Sequence, residues 1–97
     1  MNLATGEKIR RARSTAWREL DGQVAVLSMD INRLRLLNGV GSFVWRICDG
    51  RTIDEVATMV AEQYGVRLET IRADVVAFVG DLAARGMIGN EGFASDG

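Results

Sequence analysis

Residues 15–37 read TAWRELDGQVAVLSMDINRLRLL, and their pattern indicates the sheet around which the chain folds. It contains three runs rich in residues that favour β-strands. The runs are residues 16–20, 23–29 and 33–37. Asp21-Gly22 joins the first two runs, and it favours a two-residue hairpin turn because that turn needs positive φ at its central residues. The stretch therefore predicts a three-stranded antiparallel meander.

Three helices are predicted after the meander, from apolar residues that recur at helical spacing. They cover residues 39–48, 53–64 and 68–85. Asn38 is placed to cap the first helix, and Thr52-Ile53-Asp54-Glu55 forms a capping box at the start of the second. Gly65 and Gly86 stand where left-handed residues end the second and third helices. Strands followed by helices indicate the α+β class.

The charge of the chain is unevenly distributed along its 97 residues. Residues 1–18 carry five basic residues against Glu7, whereas the chain as a whole has a net charge of −1. The first 14 residues show few large apolar side chains and no sustained period. We therefore expect a flexible basic arm at residues 1–14, a single folded domain at residues 15–89 and a flexible tail at residues 90–97.

The composition excludes several classes of chemistry. The chain has no histidine and a single cysteine, Cys48, so zinc and copper sites and Ser-His-Asp or Cys-His nucleophilic sites cannot be assembled within it. Neither a run of roughly 20 apolar residues nor a signal peptide is present, so we expect a cytoplasmic protein without a membrane span. We expect no enzymatic activity and no cofactor.

The third predicted helix has a wide apolar face. Its core stripe includes Val75 and Phe78, and Val76 and Val79 extend the apolar surface beside it, with Arg72 at the rim. This extra surface either covers the edge of the sheet or lines a groove open to a ligand. The last strand of a meander lies at an edge, where unpaired backbone groups beside an apolar wall would suit a peptide that adds as a further strand.

Nearly the whole predicted domain, residues 16–88, resembles the PqqD family. The pattern of that family is approximately LN-x-x-G, an apolar pair, DG, a T-[IV]-x-E-[IV]-A helix start, D-V-x-x-F and L-x-x-x-G. The matching residues are Leu36-Leu37-Asn38-Gly39-Val40-Gly41, Val44-Trp45, Cys48-Asp49-Gly50, Thr52-Ile53, Tyr64-Gly65, Asp74-Val75, Phe78-Val79, Leu82 and Arg85-Gly86-Met87-Ile88.

The resemblance implies a three-stranded sheet with three helices, related to winged helix-turn-helix proteins. It further implies a non-catalytic module that binds the leader segment of a ribosomally made precursor peptide and presents the core segment to a maturation enzyme. That enzyme would be a radical S-adenosylmethionine enzyme or a leader peptidase. In the family the peptide adds antiparallel to the third strand and lies against the third helix. The corresponding peptide-binding residues here are Arg33, Leu34, Arg35, Leu36, Leu37, Arg72, Val75, Val76 and Val79.

The sequence departs from the family pattern in one respect and leaves one alternative function. No proline precedes the third strand, because the chain contains none, so the resemblance leaves open whether the product is a quinone cofactor, a lasso peptide or another class. The alternative is a winged-helix DNA-binding regulator with a basic arm. The third helix argues against nucleic acid, since Glu69, Asp74 and Asp81 offset Arg72 and Arg85.

Overall fold

A computed structural model describes residues 6–90 of the chain. The elements are β1 (Ile9–Arg11), β2 (Thr15–Leu20), β3 (Gln23–Ser28), β4 (Arg33–Leu36), α1 (Gly39–Ile47), α2 (Ile53–Tyr64), α3 (Leu68–Ala84) and β5 (Ile88–Asn90). β2, β3 and β4 form an antiparallel sheet in that order, while β1 pairs with β5 in a separate two-stranded ribbon. The predicted α+β class, the meander and the three helices are confirmed.

The turn between β2 and β3 has the geometry that its sequence predicts. Asp21 and Gly22 have φ values of 52° and 81°, and Leu20 pairs with Gln23 on either side of them. Two central residues with positive φ match the right-handed twist of the flanking strands. This turn sets the register of the sheet, which places Val24, Val26 and Ser28 on the buried face of β3.

The ends of α1 and α2 carry the predicted caps. The Asn38 side chain accepts a hydrogen bond from the backbone N–H of Gly41 at 2.7 Å. In the capping box the Thr52 hydroxyl accepts from the Glu55 N–H at 3.2 Å, and the Glu55 carboxylate accepts from the Thr52 N–H at 2.8 Å. α3 begins at Leu68 without a side-chain cap. Each satisfied donor fixes a helix start, and the starts position the helices against the sheet.

The core lies between the inner face of the sheet and the three helices. Trp45 of α1 is its largest fully buried side chain, and the same core cluster contains Val24 and Val26 of β3 and Leu82 of α3. α2 packs along α3 and covers much of the wide apolar face predicted for that helix. No helix within residues 6–90 has the length and apolar character needed to cross a membrane.

The structure differs from the expected flexible arm at residues 1–14. Ile9 is fully buried, and β1 runs antiparallel to β5 with Ile9 opposite Asn90. The Ile9 backbone also bonds to the loop before α2, donating to the Arg51 carbonyl and accepting from the Gly50 N–H, both at 2.7 Å. A three-residue strand whose partner lies at the other end of the chain has no local sequence signal. The domain therefore begins before residue 15, and residues 1–5 lie outside the described residues.

Arg11 fixes this first strand to α1. Its guanidinium donates to the backbone carbonyls of Trp45 and Arg46 at 2.7 and 2.8 Å and stacks over the Trp17 ring, 4.9 Å from the centroid. A cation at the C-terminal end of a helix is favoured by the helix dipole. At the other end of the domain, β5 ends at Asn90, the first residue of the expected tail, and residues 91–97 lie outside the described residues.

Candidate functional site

One edge of β4 is open. β4 follows β3 at the end of the three-stranded sheet, and within residues 6–90 no further strand pairs with its other edge. The unpaired N–H and C=O groups of an edge strand can accept an additional strand. β4 is therefore an edge at which a further strand can pair, as is β2 at the other end of this sheet.

The register identifies which backbone groups are available at this edge. The Leu37 N–H donates to the Val24 carbonyl at 2.8 Å, and β4 pairs antiparallel with β3 so that Arg35 lies opposite Val26. In an antiparallel pair, hydrogen-bonded and non-hydrogen-bonded residue pairs alternate. Arg33 and Arg35 therefore direct their backbone groups toward β3. Leu34 and Leu36 direct theirs outward, away from the sheet.

The side chains of β4 divide between the two faces of the sheet. Leu34 and Leu36 are 70% and 56% exposed and lie on the outer face, opposite Leu27 and Ala25 of β3. This outer face holds a shallow apolar cavity of about 410 Å³. The residues that line it are Ala16, Trp17, Arg18, Leu20, Ala25, Leu27 and Leu34. Arg33 and Arg35 alternate with the leucines and lie on the inner face, toward α3.

α3 faces β4 through Phe78 and Asp81. The Arg35 guanidinium forms an ion pair with the Asp81 carboxylate, and it lies over the Phe78 ring, 5.9 Å from the centroid. The hydrogen bond from Arg35 lowers the pKa of Asp81, which keeps this carboxylate ionised. Asp81 also accepts from Arg85 at 3.3 Å. These contacts join the edge strand to the helix.

Phe78 is held in place by the start of α1. A Cβ atom at Gly41 would lie 3.0 Å from the tip of the Phe78 ring, so only glycine permits this approach without a shift of the ring. Asn38 caps the same turn, and Leu37 is buried beside it. The LN-x-x-G pattern therefore has a physical explanation: a buried leucine, a helix cap and a glycine against which the α3 ring packs.

The nine residues predicted to bind peptide fall into three groups. Arg33, Leu34, Arg35 and Leu36 lie on the open strand. Leu37, Val75 and Val79 are at most 2% exposed and belong to the core, so their side chains do not reach the surface. Arg72 pairs with Asp54 of α2 at 2.7 Å, and Val76, 41% exposed, lies about 160° around the helix from Phe78 at 100° per residue. The structure does not bring this last group to β4.

Three residues outside the predicted site lie beside β4, namely Phe78, Asp81 and Arg85. In the sequence, Phe78 belongs to the core stripe, and Asp81 and Arg85 stand out only as charges on the helix. At 100° per residue these three residues lie within about 60° of one another, so the sequence places them on one side of α3. The sequence does not show which strand or helix that side contacts.

Several titratable groups away from β4 are buried or paired with other residues. No cluster of three metal-ligating side chains occurs in that range. Burial raises the pKa of the Cys48 thiol to about 11, which makes it a poor nucleophile at neutral pH. Asp54 and Glu55 are engaged by Arg72 and by the capping box.

One protein-family model matches about two thirds of the chain. The model for coenzyme PQQ synthesis protein D (PqqD) matches residues 23–88, which span β3, β4, all three helices and the start of β5. The chain belongs to the PqqD family. A search of curated protein sequences found no significant match.

Solved structures share the fold of this PqqD family member. TbiB1 in complex with the TbiA(beta) leader peptide is similar with a TM-score of 0.77 and 21% identity, over 81% of this chain and 93% of that one. Lasso peptide synthetase B1 complexed with the leader peptide is similar with a TM-score of 0.73 and 22% identity, over 84% of this chain and 96% of that one. The third structure is the PqqD truncation of Methylobacterium extorquens PqqCD, a stand-alone recognition element for ribosomally synthesised and post-translationally modified peptides. Its TM-score is 0.74 and its identity 18%, over 92% of this chain and 96% of that one.

Proposed function

We propose that this chain is a non-catalytic module that binds the leader segment of a ribosomally synthesised precursor peptide and presents it to a maturation enzyme. The observation that carries the proposal is the open edge of β4. There the backbone groups of Leu34 and Leu36 point outward beside the Phe78 side of α3. Two proteins with this fold, TbiB1 and lasso peptide synthetase B1, have been solved with leader peptides bound.

Strand addition at β4 explains how such a module binds. An added strand gains main-chain hydrogen bonds from Leu34 and Leu36, and these bonds do not depend on the identity of the peptide side chains. Its alternate side chains lie on the outer apolar face or face α3. From the family resemblance, the peptide runs antiparallel to β4. Affinity then comes from the backbone, and selectivity comes from the two lines of side-chain contacts.

The DNA-binding alternative has weaker support in the structure. The α3 region has three arginines, and each is paired: Arg67 with Glu69, Arg72 with Asp54 and Arg85 with Asp81. Phosphate binding relies on cations that are free to replace counterions, so these pairs reduce what the helix offers to a duplex. A gel shift with duplex DNA across a range of salt concentrations separates the two functions, because leader binding predicts no shifted band.

Peptide selection followed by NMR tests the proposed function. Random peptides of about 12 residues, long enough to cover a typical strand, are displayed on phage and selected against the full chain. The enriched peptide is then titrated while backbone amide signals are followed. We expect the largest shifts at residues 33–37 and on the side of α3 that carries Phe78 and Asp81. Shifts confined to residues 8–14 or 51–66 would contradict strand addition at β4.

The absence of turnover and the delivery role are tested separately. Purified chain incubated with a bound peptide should leave the mass of the peptide unchanged, and a mass change caused by this chain alone would contradict the non-catalytic role. Pull-downs with the maturation enzymes encoded near its gene, radical S-adenosylmethionine enzymes or leader peptidases, should recover a complex with the peptide-loaded chain. If none of them binds, with or without peptide, the delivery role is wrong while peptide binding stands.

A further inference from the structure

The inner face at the start of β4 borders a cationic cavity of about 250 Å³. Its lining residues are Ile31, Arg33, Leu34, Arg35, Arg85 and Met87. We call Arg33, Arg35 and Arg85 the basic corner. Within residues 6–90, Asp81 is the carboxylate that pairs with Arg35 and Arg85, and Arg33 forms no ion pair. Three guanidinium groups beside one carboxylate leave the corner with an excess of positive charge.

The basic corner lies at a defined position relative to the open edge. Residues of an added strand directly opposite Leu34 and Leu36 share the outer face with them, and residues opposite Arg33 and Arg35 share the inner face. Arg35 is already neutralised by Asp81, whereas Arg33 is not. A carboxylate carried by the residue opposite Arg33 therefore faces the basic corner.

Building on the proposed function, we propose that the bound segment carries two apolar residues two positions apart, opposite Leu36 and Leu34, followed by an aspartate or glutamate opposite Arg33. In an antiparallel strand this order reads apolar, any residue, apolar, acidic from the N-terminus. The apolar pair extends the outer face of the sheet, where cross-strand contacts stabilise pairing. The carboxylate accepts charge-assisted hydrogen bonds from the basic corner.

The peptide selection described above also tests this inference, through the composition of the enriched pool. We expect enriched peptides to show an acidic residue immediately after the second of two apolar residues spaced two apart. In a synthetic enriched peptide, replacing that acidic residue by its amide should weaken binding about tenfold, the size expected for losing a charge-assisted hydrogen bond. Fluorescence anisotropy at low and at high salt measures the change, which should shrink as salt rises.

Substitutions in the chain locate the partner of the acidic residue. With Arg33→Gln, the difference in affinity between the acidic peptide and its amide variant should shrink to a few-fold at most, because the cation opposite the acidic residue has been removed. Arg67→Gln is the matched control, since Arg67 pairs with Glu69 at the opposite end of α3. A helix of this length places Arg67 about 25 Å from Arg85, well beyond the screening length of roughly 10 Å at 0.1 M salt.

The outcomes separate this inference from the function on which it rests. Enriched peptides that shift the amides of Leu34 and Leu36 but tolerate the amide replacement would overturn the acidic position and leave strand addition intact. Equal effects of Arg33→Gln and Arg67→Gln would likewise overturn the acidic position alone. A selection that yields no peptide bound at the β4 edge would overturn the proposed function and this inference together.

Discussion

Arg35 of β4 and Asp81 of α3 form an ion pair that joins the open strand to the helix beside it. Arg35 directs its backbone toward β3 and its side chain toward α3, so a single residue connects three elements. The outward backbone groups of its neighbours remain available at the edge. The pair thus connects β4 to α3 through side chains, and it does not engage the outward backbone groups of Leu34 and Leu36.

Asp81→Asn should destabilise the chain in a pH-dependent way. The hydrogen bond from Arg35 lowers the folded-state pKa of Asp81, so its contribution is present above the unfolded pKa of about 3.9 and is lost as the pH falls through the folded pKa. Because the pair is partly exposed, we expect a loss of about 1 kcal/mol or less at pH 7.

Urea unfolding of the wild type and the Asp81→Asn variant at neutral pH, and again at a pH below the folded pKa, measures this difference. The two curves should converge at the acidic pH. Glu69→Gln, which breaks the exposed Arg67–Glu69 pair, is the control and should have a smaller effect. Equal losses for Asp81→Asn at both pH values would show that its charge contributes nothing to stability.

Proline substitutions should distinguish the two directions of the β4 backbone. Leu34→Pro removes an N–H that points outward, so the fold should persist while the affinity for an edge-bound peptide falls. Arg35→Pro removes an N–H directed at Val26 inside the sheet and should cost about 1 kcal/mol or more of stability. Thermal unfolding and peptide anisotropy measure the two effects. Leu34→Ala, which keeps the N–H, is the control, and equal affinities for Leu34→Ala and Leu34→Pro would contradict strand addition.

Gly41→Ala should destabilise the chain, whereas Gly39→Ala should not. A Cβ at position 41 would meet the Phe78 ring at 3.0 Å and the Asn38 side-chain oxygen at 3.1 Å, while a Cβ at position 39 meets nothing within 4 Å. Overpacking of this kind costs about 1 to 3 kcal/mol. Both glycines lie in the first turn of α1, so the pair is closely matched. If urea unfolding gave both variants the same free energy of unfolding, the Phe78 ring would move aside at little cost.

Ile9→Ala should cost about 2 to 5 kcal/mol, because Ile9 is fully buried between β5 and the loop before α2. Arg13→Ala, at an exposed position in the same segment, is the control and should change stability by less than about 0.5 kcal/mol. Chemical denaturation of both variants measures the difference. If Ile9→Ala left the free energy of unfolding unchanged, the first strand would not belong to the cooperative fold.

The contrast between Ile9 and Asn38 shows which parts of the fold the sequence predicts. Asn38, the Thr52 capping box and the Asp21-Gly22 turn act on backbone groups a few residues away, so their signals are local and the structure confirms them. β1 forms through contacts with residues far along the chain, namely β5 and the loop before α2. Pairing at that separation has no local pattern, and the segment therefore resembles a flexible arm in the sequence.

The same distinction applies to the candidate site. A meander leaves its last strand at an edge, so the sequence predicts the position of β4 in the sheet, and the structure confirms it. The side of α3 that meets β4 could not be predicted, because an apolar stripe two or three residues wide has several possible neighbours. Only the contacts of Arg35 identify Phe78 and Asp81 as the facing residues.

Val76→Asp and Val79→Asp should have different consequences, although the sequence alone predicts that both weaken peptide binding. Val79 is 1% exposed, so an aspartate there buries a charge among apolar side chains and should unfold the domain. Val76 is partly exposed and lies on the opposite side of α3 from Phe78, so Val76→Asp should leave both the fold and the affinity for an edge-bound peptide nearly unchanged. Circular dichroism and peptide anisotropy measure both properties. If a folded Val76→Asp variant lost affinity severalfold, the peptide would contact the α2 side of α3, and the groove beside Phe78 and Asp81 would be the wrong site.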